Sequence, residues 1–165
     1  MSDYLYRMIQ NRRDFLARSF VWTTISASMG LSPSIVLAAS KNDTMSAADA
    51  YRAIQDGKIV LIDIRRPSEW ESTGIPEGAK PNTMHDENGP ASLRENIRTA
   101  VNGDQSAPIA LICARGVRTR WAQRFLTANG FTNVLNVSEG MFGRGNDPGW
   151  LKRDLPVSIP PVAEQ

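Results

Sequence analysis

The chain has 165 residues, which is room for one ordinary domain, and its composition, 41% hydrophobic and 22% charged, is globular. Its net charge of +2 arises within the first 39 residues, and the remainder carries equal numbers of basic and acidic side chains, which argues against a nucleic-acid-binding surface. A single cysteine and a single histidine exclude an internal disulfide, a Cys-x-x-Cys redox pair and a His/Cys metal cluster, so we expect neither a metal site nor a cofactor.

The first 39 residues have the features of a targeting segment. Arg12-Arg13 and Phe15-Leu16 precede an uncharged stretch, residues 19–40, that is rich in serine and threonine, whereas a membrane-spanning helix needs about 20 mostly apolar residues. The segment resembles a twin-arginine export signal, and its small residues suit cleavage near Ala39. The resemblance implies residues 1–39 as a signal peptide, passage through the twin-arginine export machinery and a periplasmic location. The alternative is an uncleaved anchor or an amphipathic helix.

The body of the chain, residues 44–158, alternates helical and strand-like patterns. Ser46 is a candidate helix N-cap, the apolar β-branched runs are typical of strands buried on both faces, and Gly130 is a candidate helix stop. This alternation predicts an α/β fold in which helices cover both faces of a mainly parallel sheet. The predicted elements, in chain order, are a helix over 47–55, a strand from 59, turns over 67–79, a helix from Pro90 to about Val101, a strand over 109–112, a helix from Val117 to Asn129, a strand over 133–137 and, after Pro156, an extended arm whose tail is residues 159–165.

The helix that begins at Val117 carries apolar residues at helical spacing. Val117, Trp121 and Phe125 recur every four residues, with Ala122 and Leu126 beside them. We expect this face to pack into the core. Packing roles are also expected for Trp70 and Trp150, and an exposed position remote from any motif for His85.

Cys113 stands where the predicted strand over 109–112 gives way to the next helix. The unpaired N–H groups and the positive dipole end of a helix favour an anion at this point, and three arginines follow within seven residues. Gly116 permits a tight turn, so that successive amides converge into an anion-binding nest. These features favour a thiolate, the nucleophilic form of cysteine. The alternative is that Cys113 is a small, inert core residue.

Several segments together resemble a rhodanese (sulfurtransferase) domain over most of residues 44–158. Each segment alone is a weak signal, and their order and spacing make the resemblance specific. They are Leu61-Ile62-Asp63-Ile64-Arg65 with Pro67 and Glu69-Trp70, the turn Gly74-Ile75-Pro76-Glu77-Gly78-Ala79, the loop Cys113-Ala114-Arg115-Gly116-Val117-Arg118, Gly130-Phe131-Thr132-Asn133-Val134, Glu139-Gly140-Met141, Gly149-Trp150 and Leu155-Pro156-Val157.

This resemblance implies an α/β rhodanese-like fold in which Cys113 carries sulfane sulfur as a persulfide. The thiolate would take sulfur from a small anionic donor, thiosulfate or a polysulfide, and pass it to a thiol or cyanide acceptor, with a partner protein as one candidate. In the family the loop amides hold the persulfide. The residues assigned to substrate binding on this basis are Ala114, Arg115, Gly116, Val117 and Arg118, with a structural pairing as the alternative for Arg118.

Loop length separates two related chemistries. Rhodaneses that handle sulfur have a six-residue loop, whereas the related dual-specificity phosphatases have the longer Cys-x5-Arg. Cys113 and Arg118 give Cys-x4-Arg, so the resemblance favours sulfur over phosphate. A non-enzymatic exported sulfur carrier or interaction module stays open as a second function.

Three further assignments follow from the same resemblance. Asp63 is expected to be a buried structural carboxylate that accepts hydrogen bonds from loop amides. Arg65 is expected to bind substrate at the pocket mouth or to pair with Glu69. The Gly-rich residues 141–148 are expected to form a solvated loop, with a lid or a partner contact as the alternative.

Overall fold

The structure is a computed structural model that describes residues 43–159. The predicted export signal with its cleavage position, and residues 160–165 of the predicted tail, lie outside the described residues. Within residues 43–159, no helix combines the length and the hydropathy that a membrane span needs.

A five-stranded sheet forms the centre of the domain. Its strands are β1 (Thr44–Met45), β2 (Val60–Asp63), β4 (Lys80–Pro81), β5 (Ile109–Ile112) and β6 (Val134–Val137). Their order is β1-β6-β5-β2-β4, and every neighbouring pair is parallel. Two further strands, β3 (Ile75–Pro76) and β7 (Val157–Ser158), form a separate antiparallel pair, so the expected extended arm begins as a strand.

Four α-helices connect the strands. They are α1 (Ala47–Gln55), α2 (Pro67–Thr73), α3 (Gly89–Ala100) and α4 (Val117–Ala128). The helix α1 begins as predicted, because the Ser46 hydroxyl accepts a hydrogen bond from the Asp49 N–H at 3.0 Å. The helix α2 replaces part of the predicted turns: Pro67 starts it, and Glu69 accepts a hydrogen bond from the Arg66 N–H.

The sheet separates two hydrophobic cores. Alternate residues of β5 point to opposite faces, with Ile109 and Leu111 in one core and Ala110 and Ile112 in the other. The helices α3 and α4 cover the first face, and α1 covers the second together with Trp150, which is fully buried as predicted. The predicted α/β architecture with a parallel sheet covered on both faces is confirmed.

The orientation of α4 differs from the prediction. Val117 is 68% exposed and Trp121 is 45% exposed, so the expectation that they pack into the core is wrong. The buried face contains Thr119 and Gln123 instead, together with Ala122 and Leu126. The Gln123 side-chain amide donates to the backbone carbonyl of Val134, and the Thr119 hydroxyl donates to the Asn136 side chain. Because β6 provides hydrogen-bond partners for both polar side chains, they can lie on the buried face of the helix.

Candidate active site

Cys113 lies directly after β5, at the carboxyl edge of the parallel sheet. Asp63, the last residue of β2, is the neighbour of Ile112 across this edge. Ligands of open parallel sheets bind outside the carboxyl ends of the strands, so the fold places the candidate nucleophile where a site is expected.

The loop that begins at Cys113 turns its carbonyl groups away from the sulfur. The carbonyl oxygens of Cys113 and Ala114 accept hydrogen bonds from the backbone N–H groups of Met141, at 2.9 Å, and Phe142, at 3.0 Å. The start of segment 141–148 therefore supports the loop from behind. The expectation of a solvated loop holds for the exposed residues 144–147 and is wrong for Met141, which is fully buried.

The loop amides are left without acceptors. Within residues 43–159, the five consecutive N–H groups of Ala114–Arg118 donate to no backbone or side-chain atom. Gly116 has φ 75° at the N-cap of α4, and a Cβ there would collide with the backbone carbonyl of Ser138. Consecutive free N–H donors that include a left-handed glycine at a helix N-cap are typical of an anion-binding nest, and the nest stays a prediction for this loop.

The Cys113 sulfur rests on a buried polar network. Cys113 is only 1% exposed, and its Sγ lies 3.6 Å from the Oγ1 atom of Thr119. That hydroxyl donates a 2.5 Å hydrogen bond to Asn136 Oδ1, and Asn136 Nδ2 lies 3.5 Å from the Gly116 carbonyl. Either the sulfur or the hydroxyl can be the donor in this 3.6 Å contact, so rotation of the Thr119 hydroxyl would let it donate to a thiolate.

Arg118 forms a bidentate pair with Glu69, with N–O distances of 2.6 and 2.7 Å. The hydrogen bonds from Arg118 lower the pKa of Glu69 to about 2, against an ordinary value of 4.5. The hydrogen bonds to the Glu69 carboxylate in turn raise the pKa of Arg118. The structural pairing that was the alternative for Arg118 is therefore present.

Arg65 and Asp63 form a fully buried pair, which corrects the prediction for Arg65. The Nε and Nη2 atoms of Arg65 donate to the Asp63 carboxylate at 2.7 to 3.0 Å, and neither side chain has exposed surface. Arg65 also donates to the Gly74 carbonyl and to the Thr73 hydroxyl. A guanidinium without exposed surface cannot bind substrate at the mouth, and it pairs with Asp63 rather than with the Glu69 carboxylate. Asp63 is structural, as predicted, but its partners are the side chain and N–H of Arg65.

His85 lies at the loop, which the sequence analysis missed. Its Nε2 atom is 3.5 Å from Nη1 of Arg118. Loss of solvent lowers the pKa of His85, and the positive charges of Arg66 and Arg118 lower it further, so the neutral ring prevails near neutral pH. The side chain is exposed as predicted, but it is not remote. It belongs to the connection from β4 to α3, which starts at the same sheet edge as the Cys113 loop.

Arg115 is the exposed cation of the loop. Within residues 43–159 it has no ion pair, in contrast to Arg118. Arg66, beside His85, is likewise exposed and without an ion pair to a described residue. These two side chains supply positive charge that an incoming anion can meet. No cluster of three metal-ligating side chains occurs in the described range.

The model of the rhodanese-like domain family matches residues 46–144, more than half of the chain, and the chain therefore belongs to that family. Its relatives differ in what is known of them. The chain is 30% identical over 105 residues to an uncharacterised protein of Rickettsia rickettsii, covering 62% of this chain and 85% of the relative.

Two other relatives have names that state an activity. The chain is 30% identical over 89 residues to the thiosulfate sulfurtransferase GlpE of Pseudomonas syringae pv. syringae, covering 54% of this chain and 74% of that protein. Its fold is similar to that of the homodimeric polysulfide-sulfur transferase of Wolinella succinogenes, with a TM-score of 0.53, 25% identity, and coverage of 74% of this chain and 84% of that one. The family thus includes sulfurtransferases that use thiosulfate and polysulfide.

Proposed function

We propose that the protein is a sulfurtransferase that carries sulfane sulfur on Cys113. The observation that carries this proposal is the run of five consecutive amides, residues 114–118, that directly follows the cysteine and has no acceptor within the described residues. A persulfide is an anion with no proton to donate, so it matches a site built only from donors. The sulfurtransferases among the relatives support the same activity class.

The proposed reaction has two displacement steps. The Cys113 thiolate attacks the outer sulfur of thiosulfate, an S–S bond forms on Sγ, and the bond to the sulfonate breaks so that sulfite leaves with its electron pair. The acceptor, cyanide or a thiolate, then attacks the outer sulfur of the persulfide, and Cys113 leaves as the thiolate. Each step joins two anions, and the amides of the loop together with Arg115 and Arg66 offset their repulsion.

The second candidate function is sulfur carriage without turnover of a small donor. In that case a partner protein loads Cys113, and the same amides hold the persulfide.

A thiosulfate:cyanide assay tests the enzymatic proposal. We expect thiocyanate formation by the protein and none by the Cys113→Ser variant. Lys152→Glu, an exposed change away from the loop, serves as the control and keeps full activity. Equal rates for the protein and the Cys113→Ser variant would refute the role of Cys113.

We also propose that the protein works in the periplasm after export through the twin-arginine machinery. The paired Arg12-Arg13 and the uncharged stretch after them support this. In a cell-fractionation experiment, changing both arginines to lysine should retain the precursor inside the cell. Unaltered export of that variant would contradict the assignment.

A further inference from the structure

The helix α4 carries an exposed apolar strip that starts at the active loop. Val117 and Trp121 are exposed, and the ring of Trp121 stacks on that of Phe125 with centroids 5.4 Å apart and planes within 3°. From Val117 to Phe125 the strip runs about 12 Å along the helix. Phe125 is half-buried and packs against the core, so it anchors the exposed ring of Trp121. Val117 and Trp121 are left outside the core, and adjoining exposed apolar side chains of this kind mark an interaction surface.

Basic side chains border the strip. Arg120 and Arg124 are one turn apart on α4, and Arg115 lies at the end next to Cys113. All three are exposed, and none of them forms an ion pair with another residue of the described range. The sequence of α4 contains no acidic residue. The α4 patch, defined as Val117, Trp121, Phe125, Arg120 and Arg124, is therefore apolar in the middle and positive at the border.

We propose that the α4 patch docks the sulfur acceptor, and that this acceptor is a protein with an acidic, partly apolar surface around a reactive thiol. The inference rests on the proposed function. Trp121 lies one helical turn, about 6 Å, beyond the loop residue Val117, so we assign the strip to a macromolecule, whose surface can cover both Trp121 and the loop. Aromatic and arginine side chains are also the ones that dominate protein interfaces.

Charge and geometry distinguish this acceptor from other occupants. A second copy that used the same face would bring two positive borders together, since two-fold contacts pair identical surfaces. A bilayer could accept Trp121 and the arginines, but it would cover the adjacent loop without supplying a thiol. An acidic protein satisfies the positive border and delivers its thiol beside Cys113.

The transfer step is balanced without a further reactant. The thiolate sulfur of the acceptor attacks the outer sulfur of the Cys113 persulfide, a new S–S bond forms on the acceptor, and the bond to Sγ breaks. The electron pair of that bond returns to Cys113, so the products are the acceptor persulfide and the Cys113 thiolate.

Two cysteine peptides test the proposal on the protein loaded with sulfur by thiosulfate. One peptide flanks its cysteine with leucine and glutamate, and the other has lysine in place of glutamate. The variants are Arg120→Glu with Arg124→Glu, and Trp121→Ser. The control, Lys58→Glu with Lys152→Glu, changes the net charge equally on residues outside α4. Mass spectrometry follows sulfur transfer to each peptide, and thiocyanate formation from cyanide is measured in the same samples.

We expect the arginine variant to slow transfer to the acidic peptide roughly tenfold and to accelerate transfer to the lysine peptide, because the border charge is reversed. Trp121→Ser should slow transfer to both peptides by a similar factor, and the control should match the unaltered protein. Transfer to cyanide should be unchanged throughout. The cyanide measurement separates the two proposals. If the unaltered protein transferred no sulfur to cyanide, that result would overturn the proposed function, and the acceptor inference with it.

Equal peptide rates in all variants, with transfer to cyanide intact, would overturn the docking proposal alone. So would a dimer in sedimentation that dissociates on Trp121→Ser, since it would assign the α4 patch to a second copy. Binding to phosphatidylglycerol vesicles that the arginine variant abolishes, with unchanged peptide rates, would assign the patch to a membrane.

Discussion

At the scale of single residues, Arg118 at the end of the Cys113 loop is held by the Glu69 carboxylate. The bidentate contact with Glu69 fixes its position, and the lowered pKa of Glu69 shows that the carboxylate stays ionised in the folded protein at any pH above about 2. Glu69 thus orients a cation toward the loop while cancelling part of its charge. Arg115 and Arg66, which form no ion pair with a described residue, therefore supply the positive charge that a donor anion can meet.

The ion pair predicts an acid-sensitive contribution to stability. The pKa of Glu69 in the folded protein, about 2, lies below its ordinary value of 4.5, so the contribution is complete above pH 4.5 and is lost as the pH falls toward 2. The shift sets an upper limit of about 3 kcal/mol, which solvent screening of this partly exposed pair reduces to roughly 1–2 kcal/mol. Urea unfolding of Glu69→Gln should show this loss at neutral pH and little difference from the unaltered protein near pH 2. A constant difference over the whole range would contradict the assignment.

Thr119 is a positioning residue beneath the sulfur. If its hydroxyl turns from Asn136 to the thiolate when Cys113 ionises, Thr119→Val should slow persulfide formation at saturating thiosulfate about tenfold, the effect of one lost hydrogen bond to a charged group. Thr119→Ser should restore the rate, and the KM for thiosulfate should stay the same. A Thr119→Val protein that loses stability but forms persulfide at the normal rate would reduce the network to a structural role.

At the scale of elements, the Cys113 loop has its shape because neighbouring backbone surrounds it. Segment 141–142 binds two of its carbonyls, and Gly116 passes so close to the Ser138 carbonyl that no side chain fits. Backbone contacts, as well as the choice of loop residues, therefore fix the position of the five amides.

Gly116→Ala should abolish sulfur transfer, by a factor of 100 or more, because the new Cβ would displace the loop from Ser138 and spread the amides. Gly57→Ala is the matched control: it has the same left-handed backbone, with φ 64°, but no atom within 4 Å of the added Cβ. Both variants carry a conformational cost of about 1 kcal/mol, and only the first meets a collision. Equal activities in the thiosulfate:cyanide assay would contradict the importance of the loop shape.

The elements also show what sequence patterns could predict. Apolar runs and an N-cap predicted β5 and α1 closely, since both depend on local chemistry. The predicted apolar face of α4 was right for Ala122 and Leu126 and wrong for Val117 and Trp121. The helix buries Gln123 instead, because its amide finds an acceptor on β6, a contact that helical spacing does not contain. Arg65 was misassigned for a related reason: Asp63 is only two residues away, but Thr73 and Gly74, which bind the other side of the guanidinium, reach it only when α2 folds.

The candidate site divides in a similar way. The nest around Cys113 follows from a strand, a glycine and a helix that are consecutive in sequence, so it was predictable. His85 and Asn136 were not predictable, because they are remote from Cys113 in the sequence. His85 follows β4 and Asn136 belongs to β6, and only the sheet brings the ends of these strands to the same edge as the Cys113 loop. A polar residue at the carboxyl end of a predicted buried strand is the signal that could have indicated Asn136.

At the scale of the whole molecule, one cysteine has to serve the complete proposed cycle. The chain has no second cysteine that could attack the persulfide on Cys113 and form a disulfide. The outer sulfur can therefore be released only to another molecule. That molecule would meet the Cys113 loop and the start of the α4 patch at the carboxyl edge of the parallel sheet. The architecture thus places the buried sulfur, its loop and the start of the proposed acceptor surface at one edge of the sheet.

The most direct test of the account is the intact mass of the protein after incubation with thiosulfate and removal of the excess. We predict a gain of one sulfur atom, which cyanide removes again with release of thiocyanate, and no gain for Cys113→Ser. A protein whose mass stays unchanged after thiosulfate, or a Cys113→Ser variant that gains the same sulfur atom, would contradict the central claim that Cys113 is the sulfur carrier.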